Sequence, residues 1–315
     1  TTVENKIAAG DAYTQTLIDE GLQYDEAEAE TLVDDVSDET ADPAQEGEDA
    51  ASDNDDVPDP GETFTLTENV ETTDGTAQDD QFDAFTTFTQ VGQVNTLQSG
   101  DTVNGGEGND TLTAQFVNNF NQIVGNISPT LNAVENLETT AFGDINLNLA
   151  NSSGLESVTV KDSTADMAVT NVKSPVGFTV QNISGNNDAA LGYTAASLDG
   201  ETVQPLTLSG LTMADGGGQV LFDDSEGAGT IEQLDITAEG AAKIAGIVDA
   251  GAVFLGTSTD VLSDLATVNV EASGETELGV IGGGALTTFD ASESTGSVEA
   301  DVKASSANDL AVTGG

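Results

Sequence analysis

The chain of 315 residues contains no cysteine, histidine, arginine or tryptophan. Without cysteine it has no disulfide framework, and without histidine or cysteine it has no Ser-His or Cys-His nucleophile and no zinc site of those ligands. Without arginine it has no bidentate clamp for phosphate. Carboxylate chemistry such as glycoside hydrolysis stays open, but no pair of acids is distinguished by its setting. We therefore expect a protein that is not an enzyme.

Positive charge is almost absent. The sequence has 57 acidic residues against 5 lysines, for a formal net charge of -52. A surface this acidic repels nucleic acid and anionic lipid and attracts cations, divalent ones most strongly. No apolar run approaches the length of a membrane span. These observations exclude nucleic-acid partners and predict no membrane span.

The N-terminal part differs in composition from the rest of the chain. Residues 1–40 carry apolar side chains at three- and four-residue spacings, which predicts a helical segment of two short helices separated near Gly21. Residues 41–62 are acidic, contain three prolines and have almost no large apolar side chains. That composition cannot bury enough surface to offset its ordering entropy, so it predicts a linker.

From Phe64 onward short segments alternate apolar and polar residues with period two, and aromatic residues are few. This alternation predicts a mostly β body. One stretch, 241–248, is ambiguous between helix and strand. The segment 214–229, ADGGGQVLFDDSEGAG, indicates an insertion or an irregular coil.

Five of these segments align with one another without gaps. They start at Val134, Leu155, Ile231, Leu265 and Leu286, and the first two and the last two starts are 21 residues apart. A repeat of this length is typical of a solenoid, in which each coil buries its apolar face against its neighbours. We therefore predict a right-handed parallel β-solenoid over 131–315, preceded by a β-roll over 63–130. The alternative is a twisted β-sandwich.

The stretch 105–113, GGEGNDTLT, is the strongest motif in the chain. It matches the calcium nonapeptide Gly-Gly-x-Gly-x-Asp-x-apolar-x of parallel β-rolls at every defined position. Its glycines allow a tight turn that presents carbonyl oxygens and the Asp110 carboxylate, which are hard ligands suited to Ca²⁺. Leu112 is expected to point into the core.

Two incomplete copies accompany the full motif. Nine residues earlier, Asp101 and Val103 fill the aspartate and apolar positions, and thirty residues earlier Gly75, Asp80 and Phe82 fall on the same template. A site needs ligands from stacked turns, so one complete motif predicts one or two calcium sites. The predicted metal ligands are Asp80, Asp101, Gly106, Gly108 and Asp110, with Ca²⁺ as the cofactor.

Together these motifs resemble the RTX proteins, and among them the surface-layer and related cell-surface proteins of Gram-negative bacteria. The resemblance is carried by GETFTLTENVETTDGTAQDDQFDA, LQSGDTVNGGEGNDTLTAQF and LNAVENLETTAF, with VENKIAAGDAYTQTLI similar to the end of a preceding helical domain. It implies a calcium-dependent structural protein, exported by a type I system and assembled outside the cell. Most of the nonapeptides that such proteins stack are missing here, which indicates a local role for calcium.

The predicted function is an extracellular structural protein that self-assembles into a surface layer or filament, a homo-oligomer in which calcium stabilises coils and subunit contacts. Cell-surface polysaccharide is a further candidate partner. The alternatives are an adhesin or spacer module that binds glycans or surfaces, and a carbohydrate-active β-helix enzyme. An ice-binding solenoid is a further alternative, but the repeats align no threonine ladder. The start at Thr1, without a signal peptide, indicates either a processed or truncated piece or a protein exported by a route that uses no N-terminal signal. The absence of an obvious C-terminal secretion tail is consistent with a fragment that stops inside a coil.

Overall fold

The computed structural model describes most of the chain from residue 61 onward and part of the region before it. The described ranges are 2–20, 29, 32, 36–37, 40, 42–45, 47, 61–90, 92–118, 125–194, 197–198, 202–213, 217–224, 229–250, 261–302 and 310–314. The residues form two compact units, Thr1–Gly61 and Glu62–Gly315. No helix in these ranges is both long and apolar enough to cross a membrane.

The first unit contains helix α1, Thr2–Glu20. Ala9 and Tyr13 of this helix are buried in a small cluster with Leu32 and Val36. The predicted second helix falls largely outside the described residues. Within the predicted linker, residues 43–45 are helical, and a Cβ on Gly47 would lie 2.1 Å from the Ala9 carbonyl oxygen. Part of the acidic stretch therefore packs against α1, while 51–60 lie outside the described ranges.

The second unit is built on a 19-stranded sheet in which every pairing is parallel. Its main ladder consists of β1 Thr63–Thr65, β3 Gln81–Ala84, β7 Thr111–Phe116, β10 Asn136–Ala141, β12 Ser157–Lys161, β14 Gly177–Gln181, β16 Val203–Thr212, β18 Gln233–Lys243, β20 Thr267–Ala272, β22 Thr288–Ala291 and β24 Ala311–Gly314. Each strand pairs with the strand one coil away, as the prediction of a parallel β-solenoid requires. The predicted right-handed turn of the coils stays a prediction.

A second ladder runs along another face of the same coils. It consists of β8 Gly125–Ile127, β11 Ile145–Asn148, β13 Met167–Val172, β15 Ala189–Tyr193, β17 Gln219–Asp224, β19 Gly246–Asp249, β21 Thr276–Ile281 and β23 Val298–Val302. The ambiguous stretch 241–248 is thus strand, in β18 and β19. The segment predicted to be irregular contains β17, so it is regular in part.

The first coils carry two smaller sheets. A three-stranded parallel sheet consists of β2 Thr72–Asp74, β6 Thr102–Asn104 and β9 Thr130–Asn132. An antiparallel hairpin is formed by β4 Thr87–Thr89 and β5 Gly92–Val94. Consecutive nonapeptide-like segments therefore lie on different faces, since β6 belongs to the three-stranded sheet and β7 to the main ladder.

The main core of the second unit is a continuous column of stacked apolar side chains from Leu66 to Ala291, and a small separate cluster contains Ala168, Ala190, Leu221 and Ala250. The predicted alignment of repeats gives the observed register within each group: Leu137 lies opposite Val158, and Leu234, Val268 and Phe289 lie opposite one another. Side chains at these positions point inward, as the alternation predicted.

Between the two groups the register differs from the predicted alignment. Val158 stacks through Phe178 and Leu206 onto Ile236, and not onto Leu234. The offset is two residues, which leaves every side chain on its own face of the sheet because the side-chain period of a strand is two. The alternation of apolar and polar residues therefore cannot distinguish two registers that differ by an even number of residues.

Coil length varies along the solenoid. Pairs of residues that are hydrogen-bonded across adjacent coils show this. Asp80 and Asp110 are 30 residues apart in the sequence, whereas Asn136 and Ser157 are 21 residues apart. They are 34 apart between Asp235 and Asn269. The predicted period of 21 residues thus holds for some coils, and longer connections separate the strands of the others.

Candidate metal site

The nonapeptide forms a tight turn immediately before β7, and its glycines are required by close backbone contacts. Gly106 has φ 118° and Gly108 has φ 109°, in the left-handed region that L side chains rarely adopt. A Cβ on Gly106 would lie 1.8 Å from the Thr76 carbonyl oxygen, and one on Gly108 would lie 2.6 Å from that of Gln78. The turn therefore packs directly on the turn of the preceding coil.

The same crowding surrounds Gly105 and Gly75, where oxygen atoms occupy the space of a side chain. A Cβ on Gly105 would lie 1.6 Å from the Ala133 carbonyl oxygen and 2.2 Å from Oδ2 of Asp110. A Cβ on Gly75 would lie 2.0 Å from the Gly105 carbonyl oxygen and 2.6 Å from Oδ2 of Asp80. Three stacked turns thus bring backbone and carboxylate oxygens together beside the main ladder.

Carboxylates at this corner of the coils form a column joined by backbone hydrogen bonds. The N–H of Asp110 donates to Oε2 of Glu135 (2.8 Å), and the N–H of Asp80 donates to Oδ1 of Asp110 (2.7 Å). The N–H of Glu62 in turn donates to Oδ1 of Asp80 (2.7 Å). Each carboxylate therefore satisfies a donor on the preceding coil. The structure brings the predicted ligands Asp80 and Asp110 into direct contact.

The second oxygen of Asp110 differs from the rest of the column. Asp110 is fully buried, and its Oδ2 has no hydrogen-bond partner among the described residues. Oδ2 of Asp80, by contrast, accepts the N–H of Thr76 at 2.5 Å. A buried carboxylate oxygen without a partner is rare, because the group has lost its hydration and has gained nothing in exchange. Oδ2 of Asp110 is therefore a buried acceptor that no donor of the described residues satisfies.

The carboxyl groups of Asp80 and Asp110 have opposite pKa shifts. Burial raises the pKa of Asp110, and the negative charges of Glu135, Asp80 and Asp79 raise it further, against the bond from the Asp80 N–H. Burial also raises the pKa of Asp80, but hydrogen bonds from Thr76 and Glu62 outweigh it, and the pKa lies below its ordinary value. The negative charge of Asp110 is thus the one that lacks compensation.

Asp101, the third predicted acidic ligand, lies on a different face. It is fully buried at the start of β6, where its Oδ1 accepts the N–H of Glu71 (3.0 Å) and its Oδ2 accepts the N–H of Gln98 (2.7 Å). Burial raises its pKa. Because both oxygens already have protein partners and β6 belongs to the three-stranded sheet, the structure does not bring Asp101 together with Asp110.

Within the described ranges, no three acidic side chains converge as they do in metal centres built from side chains alone. A cation at the Asp110 turn would therefore need backbone carbonyl oxygens among its ligands. Calcium takes six to eight oxygen ligands and accepts carbonyl oxygens readily. The unpaired Asp110 oxygen and the crowded carbonyls of Gly105 and Ala133 fit such a donor set.

A second carboxylate column lies before the strands of the second ladder and was missed in the sequence analysis. The N–H of Asp166 donates to Oδ1 of Asp144 (3.3 Å), that of Asp188 to Oδ1 of Asp166 (2.8 Å), and that of Gln219 to Oδ1 of Asp188 (2.8 Å). The sequence contains a signal for this column, because each of the three aspartates directly precedes a strand and they are spaced by 22 residues. Glu135 was missed too, since its segment has no glycine-rich turn.

Comparisons of the chain with protein-family models, with curated proteins and with solved structures found no match.

Proposed function

We propose that this chain is a calcium-stabilised structural protein, secreted and assembled into a layer or filament at a cell surface. The observation that carries the proposal is the buried, unpaired Oδ2 of Asp110 in a turn packed by glycines. The nonapeptide that supplies this turn is complete, and its apolar residue Leu112 is fully buried in the core. Export by a type I route is part of the same proposal and rests on the family resemblance.

The residues that would hold the ion are those already gathered at this corner. Asp110 would contribute Oδ2, with backbone carbonyl oxygens of the stacked turns at Gly105 and Ala133, and Asp80 lies in contact on the preceding coil. Bound calcium supplies two positive charges among oxygen ligands, which offsets the uncompensated charge of Asp110 and the repulsion from Glu135 and Asp80. Asp80, the turn that holds Gly105 and Asp110, and Ala133 lie on three consecutive coils, so the site would tie these coils together.

The charge of the whole chain means that the proposed assembly would need cations between copies. A net charge of -52 opposes contact between copies, and monovalent salt only screens that repulsion. A calcium ion can instead bind carboxylates of two copies at once. Magnesium substitutes poorly in such contacts, because it gives up its bound water reluctantly. Calcium is therefore proposed to act both within the solenoid and between copies.

The assembly proposal is tested by light scattering and negative-stain imaging of the purified chain in CaCl₂, in MgCl₂ and in NaCl at matched ionic strength. We expect ordered arrays or filaments in calcium and dispersed particles in the other two salts. Equal assembly in NaCl or MgCl₂ would show that calcium is not what joins the copies. Dispersed particles in all three salts would contradict self-assembly itself.

A further inference from the structure

Four threonines on consecutive coils form an outward-facing column on the main ladder. Thr159 of β12 lies opposite Thr179 of β14, which lies opposite Thr207 of β16 and then Thr237 of β18. The expectation that the repeats align no threonine ladder is therefore wrong. The column is hidden in the sequence because the coils that separate these residues have unequal lengths. We call these four residues the threonine column.

Within the described residues, the hydroxyl groups of the threonine column make no hydrogen bonds that hold the fold together. None of the four donates or accepts a side-chain hydrogen bond within the described ranges. Other threonines do: the hydroxyl of Thr139 donates to the Thr159 carbonyl oxygen (3.1 Å), and that of Thr170 donates to Oδ1 of Asn146 (2.7 Å). The column thus presents a row of free hydroxyls, one per coil, at the strand spacing of about 4.8 Å.

At β18 the column leads into an open groove on the same face. The groove has a volume of about 410 Å³ and spans β18, β20 and β22. Its polar lining includes Asp235, Thr237, Asn269, Glu271 and Asp290. Oδ1 of Asp235 accepts hydrogen bonds from Nδ2 of Asn269 and Nε2 of Gln233, both at 2.8 Å, so its carboxylate is held in place.

We propose that the threonine column and this groove bind a linear β-linked polysaccharide, uncharged or bearing amines, that lies along the solenoid axis. Hydroxyl, amide and carboxylate groups in a row are the hydrogen-bonding partners that a polyhydroxylated chain requires. The advance per sugar in an extended β-linked chain is close to the strand spacing, so successive sugars meet successive coils. The acidic lining disfavours polysaccharides that carry carboxylates or sulfates. This inference does not depend on the calcium proposal.

Hydrogen bonds to Asp290 from the backbone N–H and the side chain of Ser292 hold the pKa of its carboxyl below the ordinary value, so Asp290 is not suited to act as the general acid of a glycosidase, which needs a raised pKa. Ice is a less suitable ligand, since it requires a flat hydroxyl surface. Pro205 lies two residues before Thr207, and Asp235 lies two residues before Thr237, on the same face of their strands. These two side chains interrupt a flat surface of hydroxyl groups.

The test is isothermal titration of the full chain with cellohexaose, chitosan hexamer and hexagalacturonate. The double variant Thr179→Val, Thr207→Val removes two hydroxyls while keeping β-branched side chains that fit a strand. The matched control is Thr102→Val, which lies at the centre of another threonine column, Thr72, Thr102 and Thr130, on the three-stranded sheet without the groove. Thermal melts establish that each variant is folded.

We expect cellohexaose or the chitosan hexamer to bind, hexagalacturonate not to bind, and the double variant to lose affinity about tenfold. The Thr102→Val control should bind as the original chain does. The proposal is overturned if no hexasaccharide binds, if binding survives the double variant unchanged, or if Thr102→Val weakens binding equally. Ice shaping that disappears in the double variant, without saccharide binding, would assign the column to ice instead.

Discussion

The first coils, around 63–132, and the coils that follow complete their buried polar groups in different ways. In the first coils glycine-packed turns stack so closely that Asp110 is fully buried with one unpaired oxygen. In the following coils Asp144, Asp166 and Asp188 lie half-buried, and each accepts one backbone N–H from the next coil. Both columns are made of carboxylates, but only the first contains an oxygen that is sealed from water without a partner.

This difference shows that one solenoid can combine two kinds of coil. Half-exposed carboxylates retain part of their hydration, so protein donors and solvent water together satisfy the oxygens of the second column. For the Asp110 column, we propose that a cation supplies the partner that the protein does not give to Oδ2 of Asp110. We therefore expect dependence on calcium to be local: strong around the nonapeptide turn and weak in the coils after it.

The largest effect is expected from filling the space beside Gly105. In Gly105→Ala the new Cβ would meet the Ala133 carbonyl oxygen, a backbone atom, so we expect a loss on the order of 3 kcal/mol in the free energy of unfolding. Gly177→Ala in β14 is the matched control, since its Cβ would approach nothing closer than 3.9 Å. Urea unfolding measures both. Equal losses in the two variants would show that the nonapeptide turn is no more tightly packed than the later coils.

A smaller effect is expected on calcium affinity. Asp110→Asn keeps an acceptor for the Asp80 N–H but removes the charge, so we expect the tightest site to weaken by about tenfold or more. Asp101→Asn should weaken it less, because both Asp101 oxygens already accept N–H groups. Asp235→Asn, far along the main ladder, is the control. Three equal effects in titration calorimetry would mean that the nonapeptide is only a turn.

The smallest effect concerns pH in the later coils. Burial and the charge of Asp144 raise the pKa of Asp166, so the folded state binds that proton more tightly than the unfolded chain does. In chelator, the free energy of unfolding should therefore rise as pH falls from about 7 towards 5, above the ordinary carboxyl pKa near 3.9. Asp166→Asn should flatten this rise, and the exposed Glu239→Gln should not. An identical pH profile for Asp166→Asn and the original chain would contradict this account.

Much of the fold could be predicted from the sequence, because inward residues of a solenoid alternate with period two and recur from coil to coil. Leu137 over Val158 and Val268 over Phe289 follow directly from that pattern. The two-residue offset that places Val158 in the column of Ile236 could not be predicted, since it preserves the pattern. The threonine column could not be predicted either, because its residues are separated by coils of unequal length and therefore do not recur at a fixed spacing in the sequence.

The candidate site was predicted in part. The nonapeptide identified Asp110, Gly106 and Gly108, and its thirty-residue neighbour identified Asp80, because sequence alone specifies turn chemistry. Asp101 had the same local pattern, but whether two turns share a face depends on how the chain coils between them. The unpaired oxygen of Asp110 could not be predicted at all, since it depends on which backbone donors the neighbouring coils present.

Hydrogen–deuterium exchange of the full chain, in calcium and in EGTA, tests the central claim most directly. Binding to the folded state alone stabilises it by about 2.7 kcal/mol at a hundredfold excess of ligand over Kd, and this should appear where the ion is held. Local calcium dependence predicts that EGTA lowers protection in β3, β7 and β10 while β12, β14 and β16 stay protected. Uniform loss across all six strands, or no loss in any of them, would contradict it.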